Sequence, residues 1–93
     1  MVDVQQTIEQ WLEYLTEAWQ GLPQAAIDID KWDLAEQIDY VEEWTPKEEL
    51  AAQLRRLIVS PEATDKQRGH YQRLKRLMRD NRPILDCLRK AST

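Results

Sequence analysis

The chain has 93 residues, enough for one domain and too few for two, and its 42% apolar residues can fill only a small core. Two Gly and four Pro are too few for a many-turned β fold, and one cysteine, Cys87, excludes an internal disulfide. The formal net charge of −4 hides a division. Residues 1–49 carry 13 Asp/Glu against Lys31 and Lys47, a formal −11, while residues 50–93 carry 11 Lys/Arg against Glu62, Asp65, Asp80 and Asp86, a formal +7.

The opening run Met1-Val2-Asp3-Val4 has no basic stretch and no apolar stretch behind it, so no secretory signal is expected. No apolar run exceeds three residues, so no membrane span is expected. A lone cysteine fits a reducing compartment, and the cytoplasm is the expected location.

In chain order, Val4, Ile8, Trp11, Leu12, Leu15, Trp19 and Leu22 recur at steps of three and four. That periodicity predicts an amphipathic helix over residues 3–20, stopped by Gly21-Leu22-Pro23. A second helix is expected from Asp30 to Trp44. Asp30 is read as its N-cap, with Ile29 and Leu34 as a hydrophobic staple, and Leu34, Ile38, Val41 and Trp44 on the inner face. Thr45-Pro46-Lys47-Glu48 has the spacing of a capping box and predicts a third helix from Pro46 to Ile58, burying Leu50, Leu54, Leu57 and Ile58. Thr64 and Gln67 offer another capping box for a fourth helix over Asp65–Arg79, with Tyr71, Leu74, Leu77 and Met78 inward. Asn81-Arg82-Pro83 should break that helix. A last short one follows from Pro83 to Lys90, carrying Ile84, Leu85, Cys87 and Leu88. The expected fold is all-α: one domain over residues 1–93, a compact bundle of four main helices plus a short C-terminal helix.

The charges form stripes on those helices. Glu9, Glu13 and Glu17 stand four apart on the first, and Glu36, Asp39 and Glu43 line the outer side of the second. Trp32 falls among the second set, either as an exposed anchor or folded over the first turn to cover the core edge. Arg68, Arg73, Lys75, Arg76, Arg79 and Arg82 make the fourth helix basic. The Arg55-Arg56 pair, Arg89 and Lys90 could extend that patch.

Signals for catalysis are absent from the pattern. His70 and Cys87 lie in no nucleophile signature; His70 reads as a boundary histidine and Cys87 as a small core residue. Asp28-x-Asp30-x-x-Asp33 lacks the glycine that a calcium loop needs at its sixth position, so capping explains it better. No phosphate loop or nucleotide fingerprint occurs. No enzyme, metal or cofactor is therefore expected. The expected role is a small protein-interaction or regulatory module, binding a protein partner or a second copy, for instance as a homodimer in which acid meets base twice. The alternative is a nucleic-acid-associated protein whose segment Lys66–Arg76 and nearby arginines contact phosphates. Acidity in the first half and a pI near 5.0 weigh against it.

Overall fold

The computed structural model describes residues 3–91. Met1 and Val2, which enter the reading of the N-terminal run, lie outside them. Every regular element among the described residues is helical. They are α1 (Val4–Asp28), a single 3-10 turn (Ile29–Lys31), α2 (Leu34–Glu42), α3 (Trp44–Ile58) and α4 (Asp65–Ala91). Helices α1, α3 and α4 pack together, and α2 lies at their edge. No helix of the described residues is long and apolar enough to cross a membrane.

The apolar stripe of the first helix is the heart of the core. Ile8, Leu12, Leu15, Trp19 and Leu22 are buried on α1. They meet Trp44, Leu54 and Ile58 of α3 and Tyr71, Leu74, Leu85 and Leu88 of α4 in one cluster. The Trp19 and Trp44 rings meet edge to face at 4.8 Å and 68°. The indole N–H of Trp44 is buried without a hydrogen-bond partner among the described residues. Burial raises the Tyr40 phenol above its usual range; the approach of its hydroxyl toward Trp44 offsets this only in part and falls outside hydrogen-bond geometry.

Five helices were expected and four α-helices form among the described residues, because Pro83 does not separate the last two; Pro23 likewise fails to stop α1. Pro23 lies inside α1, which continues to Asp28, and Pro83 lies inside α4, which continues to Ala91. In both places apolar residues on either side of the proline share one face, Leu22 with Ile29 and Leu74 with Leu85, so packing favours a continuous helix. The Asn81 side chain donates to the Leu77 carbonyl at 2.9 Å, inside the turn before Pro83. Continuity also sets the phase of the last turns: Leu85 and Leu88 point inward, and Cys87 is exposed, not in the core.

The N-cap of α2 is Asp33, not Asp30: its carboxylate accepts from the Glu36 N–H at 2.9 Å. That bond holds the Asp33 carboxyl below its usual range. Leu34 becomes the first helical residue, the expected staple does not form, and Leu34 is 69% exposed. Thr45 does not cap α3, which begins one residue earlier at Trp44. Pro46 still falls within the first turn, where a missing N–H leaves no helical bond unmade. The second capping box is present in full: Gln67 N–H donates to Thr64 Oγ1 at 3.1 Å and Thr64 N–H to Gln67 Oε1 at 3.0 Å. Gln67 Nε2 then ties this corner to the Gln5 carbonyl of α1 at 2.8 Å.

The molecule is elongated. Its radius of gyration is 14.7 Å, against about 12 Å for a compact domain of this length. Its extents of 44 × 27 × 17 Å describe a slab with long exposed flanks.

Candidate functional site

The basic surface is a groove between α3 and α4. Two adjoining concavities of about 260 and 440 Å³ share Arg55, Tyr71 and Lys75. Ile58 and Tyr71, both buried, and the half-buried Met78 form its apolar floor. Arg68 stands at one end and Arg79 and Arg82 at the other, and no carboxylate lines either concavity. Burial raises the Tyr71 phenol, and the nearby Arg55 charge partly opposes that shift.

The cations around the groove differ in how they are already used. Arg68 is a structural clamp: Nε donates to the Ile58 carbonyl at 3.3 Å, Nη2 to the Ser60 carbonyl at 3.0 Å, and Nη1 pairs with Asp65 at 3.2 Å. It thus satisfies the end of α3. Arg82 pairs with Glu48 at 2.6 Å and lies over the Trp19 ring at 5.4 Å. Arg79 has, among the described residues, only its chain neighbour Asp80, at 3.4 Å. Among the described residues, Arg55 and Lys75 have no carboxylate within ion-pair distance. Of the six basic residues expected from the sequence, Arg68, Lys75, Arg79 and Arg82 line the groove. Arg73 lines a different hollow with Thr16 and His70, and Arg76 is exposed outside both. His70 bonds to Thr16 Oγ1 at 3.2 Å, an ordinary boundary contact.

Glu48 explains how this end of the groove is built. Its two oxygens take Arg82 at 2.6 Å and Arg89 at 2.8 Å, crossing from α3 to α4. Partial burial pushes the Glu48 carboxyl up, but the hydrogen bonds from Arg89 and Arg82 outweigh it and hold the group below the usual glutamate range. A lowered carboxyl stabilises the fold above the titration of the unfolded group, at about pH 4.3, and loses that contribution as pH falls through the folded value. Glu48→Gln should therefore cost about 1 kcal/mol near neutrality, a figure already discounted for solvent. In thermal unfolding, that is a loss of roughly 4–8 °C at pH 7. The difference from the parent should disappear in strongly acid solution; an equal difference at pH 7 and pH 3 would contradict the network.

The acidic residues have different surroundings. Trp32, Glu36, Asp39, Tyr40 and Glu43 line a shallow notch on α2. Trp32 is half-buried against the core edge and meets Tyr40 edge to face at 5.4 Å and 73°. Glu43 is shared with Lys47 at 3.7 Å. Glu9 lies elsewhere, in a hollow with Lys66 and Gln67, and Glu13 and Glu17 are exposed on α1 without joining either. Asp28 pairs with Lys31 at 3.8 Å and accepts from Gln24 at 3.1 Å, so pairing and capping account for the acidic run around the 3-10 turn.

Tyr40 was missed as a surface residue, although Trp32, Glu36 and Tyr40 stand four apart and so predict a common stripe. Arg55 entered only as an extension of the patch, since its place opposite Lys75 depends on how α3 packs on α4. The chain matches no family model, and no curated protein or solved structure matches it.

Proposed function

We propose that the protein is a non-catalytic protein-interaction module whose working surface is the basic groove between α3 and α4. The observation that carries this is the groove's composition: Arg55 and Lys75, two cations unpaired among the described residues, line it beside an apolar floor with no carboxylate in the lining. Cations around an apolar strip match an acidic protein segment that also has apolar side chains. A nucleic acid would use the cations but leave the floor unmatched. The aromatic residue in the groove, Tyr71, is only 7% exposed and so offers no face on which a base could stack.

The nucleic-acid reading draws support from a different observation. Lys66, Arg73 and Arg76 are exposed and lack ion-pair partners among the described residues, so the outer side of α4 is also basic. Fluorescence anisotropy separates the two readings. The probes are a labelled Glu-rich peptide containing Leu, a random single-stranded RNA and a duplex DNA, at about 50 and 200 mM salt, across which phosphate contacts lose most affinity. The peptide should bind, and Lys75→Glu combined with Arg79→Glu should abolish that binding. Tight, salt-sensitive binding of RNA or DNA, lost in the same double variant while the peptide stays unbound, would reverse the ranking.

A further inference from the structure

We propose that the occupant of the basic groove is a second copy of this chain, docked through the acidic stripe of its α2; this rests on the groove being a protein-docking surface. The two stripes have matching registers. On α2 and its C-cap, Glu36, Asp39, Tyr40 and Glu43 fall at positions one, four, five and eight of an eight-residue stretch. On α4, Lys75, Met78, Arg79 and Arg82 fall at the same four positions. Both sets are one face of an α-helix, and each spans about 10 Å at 1.5 Å per residue.

Laid antiparallel, the two stripes pair without remainder. Glu36 faces Arg82, Asp39 faces Arg79, and Glu43 faces Lys75. Tyr40 then falls opposite Met78, so the half-buried aromatic of one stripe meets the half-buried thioether of the other, a favourable sulfur–ring contact. A parallel arrangement would place Tyr40 against Arg79 and Asp39 against Met78, and both matches would be lost. The acidic stripe is available, because Glu36 and Asp39 have no cation within ion-pair distance among the described residues and Glu43 shares only Lys47, at 3.7 Å. On the basic side Lys75 is unpaired and Arg79 has only Asp80. Val59, 76% exposed after α3, lines the groove beside the basic stripe. If the two copies close on a two-fold axis, the same match is made twice.

Reciprocal charge reversal tests this by sedimentation velocity at low salt. The first variant combines Asp39→Arg with Glu43→Lys and makes both surfaces basic. The second combines Lys75→Glu with Arg79→Glu and makes both acidic. These four positions are exposed and hold no core contact, and Arg82 and Glu36, which serve the Glu48 pair and the α2 cap, are left alone.

The parent protein should self-associate, and each variant alone should lose at least about tenfold in association, since like charges then face each other. An equimolar mixture of the two should recover it. Raising salt should dissociate the unaltered protein, which gives the same reading without any variant. A monomer at all accessible concentrations overturns the inference, as does self-association that neither variant weakens, or a mixture that does not recover. If the monomeric protein nevertheless binds the Glu-rich peptide through Lys75 and Arg79, the groove remains a protein-docking surface and only the second copy is excluded. If it binds RNA or duplex DNA there instead, both readings fall.

Discussion

Trp19→Ala is expected to remove a large share of the protein's stability. Trp19 is 1% exposed at the centre of α1, so truncation removes the largest kind of apolar side chain from a core that is already thin. The Trp44 ring loses the edge-to-face neighbour it meets at 4.8 Å, and the Arg82 guanidinium loses the ring it covers at 5.4 Å. Replacing a buried Trp by Ala costs about 3–5 kcal/mol, because the cavity relaxes only in part. A domain of this length has a total stability of roughly 5–14 kcal/mol. The loss is therefore a large share of the whole, and urea unfolding should show it as a lower midpoint with an unchanged slope. Trp19→Phe should lose less, since it keeps an aromatic edge toward Trp44. The damage should reach the groove too, because Arg82 is placed by Trp19 on one side and Glu48 on the other. A variant that unfolds at nearly the parental midpoint would mean that α1 is not held by this residue.

What the sequence reveals depends on the range of the interaction. The α1 stripe of Ile8, Leu12, Leu15 and Trp19 is legible because burial on one helix face follows directly from steps of three and four. The Thr64–Gln67 cap is legible because both of its hydrogen bonds close within four residues. Thr45 and Glu48 have the same spacing, yet no cap forms there. Glu48 is taken instead by Arg82 and Arg89, which lie 34 and 41 residues away and carry no local mark. Likewise Lys75, Arg79 and Arg82 can be read as one stripe from α4 alone. The groove needs Arg55, which arrives only through the packing of α3. The acidic residues have the same limit: spacing orders them within α1 and within α2, but it does not say how the two helices are placed.

The prolines show local chemistry losing to packing, and they yield the second large expectation. A proline inside a helix is about 3 kcal/mol worse than alanine, through the absent N–H and the clash with the carbonyl four residues back. Read locally, Pro23 and Pro83 should each end a helix. Ending α4 at Pro83 would release Leu85 and Leu88, which are 0% and 8% exposed, from the phase set by Tyr71 and Leu74. Burying even one leucine is worth about 1.5–3 kcal/mol, so two outweigh the proline penalty. Pro83→Ala should then remove that penalty while keeping the packing. Alanine gives back about 1 kcal/mol through a freer unfolded chain, leaving a net gain of about 2 kcal/mol. Thermal unfolding should rise by roughly 10 °C. Pro83 is exposed, so no cavity opens, which makes it a cleaner test than the half-buried Pro23. A fall in stability would mean that proline at residue 83 is itself needed to seat Leu85 and Leu88, and that α4 works as two segments, as its sequence suggests.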